Sequence, residues 1–129
     1  MYLSPNTSAV YFPFSKLKIP TKSLCVDVGS NDGTLLSFFE NHDMRVLGVE
    51  PTNMAKVALK ENGIETIQEY FTEAVAKDIK KEYGLAKIVT FTNVFAHMAP
   101  LGEVMRGISQ LLDKDGAIVT ESQYLLDVF

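Results

Sequence analysis

The sequence predicts an α/β domain, a doubly wound and mainly parallel sheet with helices packed on it. Three observations predict this class. Short apolar or β-branched runs alternate with longer stretches of helical periodicity, turn residues mark the junctions, and the first run leads through a small-residue loop straight into a helix. Parallel strands joined by crossover helices produce that rhythm.

Leu24–Val28 is the first strand, apolar apart from Asp27. Arg45–Val49, Glu65–Gln68, Lys87–Phe91 and Ala117–Glu121 are the next four, each short and rich in residues that suit a buried pleat. The helices between them fall near Thr34–Asn41, Asn53–Asn62, Glu73–Tyr83 and Leu101–Leu112, where apolar residues recur every three or four positions. Asn62-Gly63 and Tyr83-Gly84 end the second and third helices as C-caps, and Asp113-Lys114-Asp115-Gly116 is a turn before the fifth strand. Leu101, Met105 and Ile108, with Met98 ahead of them, fall at helical spacing and are expected in the core. Residues 1–22, with Pro5, Pro13 and Pro20, break the rhythm and are expected to form an irregular or short helical lead-in; residues 23–129 form the domain proper. Leu125–Phe129 reads as the opening of a further helix, so the sheet is expected to stop after its fifth strand.

The chain has 129 residues, one domain's worth, and 47% hydrophobic against 22% charged residues is too apolar for disorder. Twelve basic against sixteen acidic residues leave a net charge of −4, which argues against nucleic acid or an anionic membrane as partner. No apolar run reaches the roughly eighteen residues of a membrane helix, and no secretory leader is visible. Cys25, the only cysteine, sits between Leu24 and Val26 as a small apolar filler, so a reducing, cytoplasmic setting is expected. A bound metal is not expected.

The chemistry gathers at the strand ends. Val26-Asp27-Val28-Gly29-Ser30-Asn31-Asp32-Gly33-Thr34 is a strand, a loop and a helix start in the order of a nucleotide-binding α/β domain. Gly29 lets the chain leave the strand sharply and lets a ligand approach. Asn31 tolerates a left-handed backbone, and Gly33 allows close packing at the helix start. Such a loop alone is weak evidence, since turns use these residues for backbone reasons. Glu50, at the tip of the second strand and about twenty residues on, strengthens it by offering a carboxylate to the two hydroxyls of a ribose. Its plainer alternative is a solvated or helix-capping acid.

A dinucleotide fingerprint wants glycine at the first, third and sixth loop positions, where this loop has Gly29, Asn31 and Thr34. Asp27 would repel a pyrophosphate and would suit a ligand carrying an ammonium and a sulfonium. S-adenosylmethionine is therefore favoured over NAD, and with no lysine after the loop a triphosphate-binding loop is excluded.

Three stretches then carry a resemblance: Val26-Asp27-Val28-Gly29-Ser30-Asn31-Asp32-Gly33-Thr34-Leu35-Leu36, Leu47-Gly48-Val49-Glu50-Pro51 and Asn93-Val94-Phe95-Ala96-His97. From Leu24 to about Phe129 the chain resembles the class I S-adenosylmethionine-dependent methyltransferases, within them the deoxysugar C-methyltransferases, which implies a Rossmann-like fold. The resemblance implies that Asp27, Gly29 and Gly33 line the methionine end of the cofactor, with Ser30 and Asn31 in the same loop. Glu50 beside Pro51 would hold the ribose, the segment around Tyr70 and Phe71 would approach the adenine, and Asn93 would hold the cofactor or its loop. S-adenosylhomocysteine would be the product. His97, at the carboxyl edge of the sheet after the fourth strand, would assist deprotonation of a keto-sugar; read from the residues alone, it equally suits a helix cap or a partner for Phe95. His42, beside Asp43, is expected at the surface.

The expected function is methyl transfer to a small molecule, a carbon of a nucleotide-linked keto-deoxysugar. Full-length proteins of the kind also carry a cysteine-rich zinc-binding segment and a C-terminal lobe, which this sequence lacks. The alternative is therefore a non-catalytic or truncated S-adenosylmethionine-binding module that needs those lobes. A bare fifth strand would invite pairing, so either a homo-oligomer through that sheet edge or the lead-in segment folded over it is expected.

Overall fold

The computed structural model describes residues 2–4, 9–11, 19–91 and 100–120. Among them the chain runs β1 (Tyr2–Ser4), β2 (Ala9–Tyr11), β3 (Leu24–Val28), α1 (Thr34–Glu40), β4 (Arg45–Val49), α2 (Met54–Asn62), β5 (Thr66–Ile67), α3 (Glu73–Tyr83), β6 (Ala86–Phe91), α4 (Leu101–Leu111) and β7 (Leu112–Thr120). Strands β3 to β7 form one sheet in the order β5-β4-β3-β6-β7, with every pairing parallel. The order reverses at β3, so the crevice beyond the carboxyl ends of β3 and its neighbours is where such a sheet receives a ligand. The doubly wound class is as the alternation predicts.

All of β3 is buried, and its side chains alternate between two cores because successive side chains leave a strand on opposite faces. Leu24, Val26 and Val28 join Leu47, Val49 and Val89 under Val75, Ala76 and Ile79 of α3 and Val104, Ile108 and Leu111 of α4. Cys25 and Ile88 point the other way, onto Leu35, Leu36 and Phe39 of α1 and Ala58 of α2. Each fully buried large side chain contributes about 1.5–3 kcal/mol, and Phe39, Leu36, Leu47 and Ile88 are all 0% exposed. The thiol of Cys25 is pushed up by burial, which suits its part as a filler.

Four differences from the sequence reading have physical causes. Residues 2–4 and 9–11 form a two-stranded antiparallel ribbon, Tyr2 opposite Tyr11, where an irregular or short helical lead-in is expected. The aromatic and β-branched residues there favour a strand. Second, β7 starts at Leu112: Ala86 pairs with Leu112 and Ile88 with Ala117, so the turn at Asp113–Gly116 is accommodated as a bulge within the strand. Lys87 stabilises it, its ammonium 3.4 Å from Asp113 and 4.0 Å from Asp115. Third, Leu101 and Met105 are 57% and 42% exposed, and only Ile108 of the described residues in that stripe is buried. The buried face of α4 is Val104, Gly107, Ile108 and Leu111, a rotation of the stripe set by packing on α3. Met98 lies outside the described residues. Fourth, β5 is shorter than Glu65–Gln68.

At the end of the sheet opposite the ligand crevice, the Tyr83 hydroxyl donates to Glu65, 3.1 and 3.0 Å from its two oxygens. Burial and this hydrogen bond push the phenol up from 10 to about 12. A group whose proton is held more tightly in the folded state stabilises the fold below its unfolded pKa and loses that contribution as pH rises through its folded value. Alkaline absorbance titration is expected to show one of the five tyrosines ionising late. That late step should vanish in Tyr83→Phe, whose stability should fall less between pH 10 and 12. No helix among the described residues is long and apolar enough to cross a membrane.

Candidate cofactor site

The loop after β3 turns in a way that depends on its small residues. Gly29, Asn31 and Gly33 take left-handed φ angles of 77°, 55° and 82°, a region costly for ordinary side chains and open to glycine and asparagine. At Gly33 space is short as well: a Cβ would lie 2.9 Å from Ile64 Cγ1, so the helix start and the segment after α2 touch through a missing side chain. Asp32 steadies the turn by accepting from the Thr34 amide at 3.1 Å and its hydroxyl at 2.7 Å. Asn62 ties the loop to the end of α2 by donating from Nδ2 to the Asp32 carbonyl.

Glu50, immediately after β4, turns inward onto this loop. It is 2% exposed. Its Oε1 accepts from the Asn31 amide at 2.9 Å, and its Oε2 accepts from the Thr52 amide at 3.1 Å and the Thr52 hydroxyl at 2.8 Å. A solvated strand-end charge would look different. A carboxylate has about four lone-pair sites; three are filled, so Oε1 retains capacity for a hydroxyl donor. Pro51, half-buried, carries the chain from Glu50 to Thr52.

Asp27 is 1% exposed at the end of β3, and the hydroxyl of Thr90 on the neighbouring β6 donates to its Oδ1 at 2.7 Å. Their positions match in register, Asp27 opposite Thr90. Ser30 is buried too, but its hydroxyl lies against β4: a Cβ on Gly48 would collide with Ser30 Oγ. The glycine inside β4 thus makes room for the loop to lean on the strand, and the Gly29 amide donates to the Val49 carbonyl at 2.8 Å.

The structure brings Asp27, Gly29, Ser30, Asn31, Gly33, Glu50 and Pro51 together around one turn. It separates the adenine pair. Tyr70 is 51% exposed and Phe71 3% exposed. Within the segment that the sequence reading brings to the adenine, the Phe71 ring belongs to the core, filling the space α4 leaves at Gly107, where a Cβ would meet it at 2.7 Å. Asn93 and His97 lie outside the described residues. His42 is exposed, its Nδ1 2.8 Å from the Phe38 carbonyl.

Thr52 and Thr90 are absent from the sequence reading, and Gly48 is given no part of its own there. Each had a signal: a threonine just ahead of a helix start, a hydroxyl at the apolar end of a strand, and a glycine within a strand, which marks close approach. The assembled groups can accept a hydroxyl hydrogen bond at Glu50 and place a second buried carboxylate at Asp27, beside a left-handed glycine loop.

The family described as a methyltransferase domain matches residues 11–127. The chain is 41% identical over 106 residues to the C-methyltransferase NovU of Streptomyces niveus, covering 81% of this chain and 25% of that protein. Among solved structures it resembles an S-adenosylmethionine-dependent methyltransferase from Anabaena variabilis, with a TM-score of 0.65, 24% identity, and coverage of 83% of this chain and 47% of that one. A methyltransferase from Geobacter sulfurreducens in complex with S-adenosylhomocysteine gives a TM-score of 0.57 at 15% identity, over 81% and 44% of the two chains. The chain thus spans a quarter of the curated relative and about half of the first of these structures.

Proposed function

The chain belongs to the S-adenosylmethionine-dependent methyltransferase family, and from that premise we propose that it binds the cofactor at the β3 loop and serves methyl transfer to a carbon of a nucleotide-linked keto-deoxysugar. The observation that carries the reading is the buried Glu50 carboxylate turned onto the amide of Asn31. The residues fit the group. Glu50 has remaining acceptor capacity at Oε1 for a ribose hydroxyl, Asp27 suits the ammonium of the methionine end, and Gly29 keeps the backbone bare where the ligand would lie against it, while Gly33 lets the loop close onto Ile64. Tyr70, exposed after β5, is the aromatic available to the adenine. Bound S-adenosylmethionine supplies a methyl group already activated on sulfur. What the chain itself must do is orient the acceptor and exclude water, and orientation alone is worth several kcal/mol.

A carbon acceptor also needs a base, and His97, with Asn93 near it in sequence, is proposed for that part of the site. That the NovU relative is a C-methyltransferase supports a carbon acceptor. That the chain spans a quarter of this relative supports a second reading, a cofactor-binding module whose acceptor site is completed by further chain.

Two measurements separate these readings. Calorimetry on the full chain is expected to show binding of S-adenosylmethionine and S-adenosylhomocysteine; a folded protein that binds neither ends both readings. A single-turnover assay with labelled cofactor and keto-sugar nucleotides then decides between them. Product that disappears in His97→Ala supports the enzyme, and cofactor binding without product supports the module.

A further inference from the structure

We propose that Thr52 is a positioning residue that holds the Glu50 carboxylate in the one orientation able to receive a ribose. The inference rests on the cofactor reading above and deepens it. Thr52 is anchored to α2 from two sides, since the Met54 amide donates to its hydroxyl oxygen at 3.2 Å and the Ala55 amide to its carbonyl at 3.1 Å. From that anchor its amide and hydroxyl both donate to Glu50 Oε2.

A cap for the helix needs only the oxygen, which accepts from Met54. The hydroxyl hydrogen is free of that duty, and at 2.8 Å it is spent on the carboxylate. Glutamate has three rotatable bonds, so a buried carboxylate held by Asn31 at Oε1 alone could still swing Oε2 about that contact. Two donors from one rigid residue on Oε2 remove the swing. The Oε1 edge then stays beside the loop after β3, where a ligand's hydroxyls would arrive. Thr52 touches no reacting atom in this scheme; it acts through Glu50.

The test compares two ligands, S-adenosylhomocysteine and its 2′,3′-dideoxy analogue, by calorimetry on wild-type protein and Thr52 variants, with thermal melts alongside. Thr52→Val keeps the branched shape and removes the hydroxyl. It is expected to weaken the hydroxyl-bearing ligand about tenfold, as loss of one hydrogen bond to a charged group would, and to leave the dideoxy analogue unchanged. Thr52→Ser, which keeps the hydroxyl, should bind both as wild type does. Should the valine variant fail to fold, Thr52→Ala carries the same comparison. Equal weakening of both ligands, or none, overturns the proposal in favour of a helix cap only. Wild-type protein that binds S-adenosylhomocysteine no better than the dideoxy analogue also overturns it while leaving cofactor binding intact, whereas wild-type protein that binds neither overturns the cofactor reading and this inference with it.

Discussion

Gly33→Ala is expected to lower the melting temperature by roughly 10–20 °C and to abolish cofactor binding at temperatures where the wild-type protein still binds. Two costs add at this position. The backbone there is left-handed, φ 82°, which costs an L-residue about 1–2 kcal/mol. The new methyl group would also lie 2.9 Å from Cγ1 and 3.0 Å from Cβ of Ile64, a side chain that is 0% exposed and has nowhere to retreat. Overpacking of that kind costs about 1–3 kcal/mol, so the sum is a large part of the roughly 5–15 kcal/mol that holds a domain together. Gly63→Ala is the internal control, because φ is 66° there but nothing lies within 4 Å of the added Cβ. It should carry the backbone cost alone, about 1–2 kcal/mol. Equal melting temperatures for the two variants would show that Ile64 yields and that the loop is not braced through this contact.

The pair also illustrates what the sequence makes legible. Left-handed positions were readable at Gly29, Asn31 and Gly33, because few residue types tolerate such a backbone and the loop places them together. The five parallel strands were readable from short apolar runs, since a strand covered on both faces must be apolar along its length. Glu50 was readable from its distance past the loop. What escaped depends on contacts between segments far apart in the chain. Neighbours Tyr70 and Phe71 look alike in sequence, and only Gly107 on α4, by vacating the space beneath it, decides which ring goes into the core. Spacing on α4 is equally compatible with burying Leu101 and Met105 or Val104 and Gly107; packing against α3 selects the second. The hydroxyls of Thr90 and Thr52 find their carboxylates through strand register and through the path of Pro51 into α2, neither of which a linear pattern encodes.

Glu50→Ala should reduce affinity for S-adenosylhomocysteine by about 10- to 100-fold, since a hydrogen bond to a charged group contributes about 1.5–3 kcal/mol and Oε1 has room for one more donor, a ribose hydroxyl. It should also destabilise the protein without ligand, and this second effect separates the site from an ordinary surface acid. The carboxylate satisfies the amides of Asn31 and Thr52 and the hydroxyl of Thr52 in a part-buried setting. Removing it leaves three donors without their acceptor, at about 1–3 kcal/mol for each that water does not reach. Glu50→Gln is informative for the opposite reason. Its shape is conserved, yet both oxygens of the native group accept from fixed donors, so whichever way the amide is turned an NH₂ faces N–H or O–H. Glutamine should therefore lose most of the affinity despite filling the same space, and the melting temperature should fall with it. Glu65→Ala removes an exposed carboxylate that serves Tyr83 and should leave affinity unchanged. If Glu50→Ala bound S-adenosylhomocysteine within about threefold of wild type, the carboxylate would be a brace for the loop and α2 only, and the ribose would have to be held elsewhere.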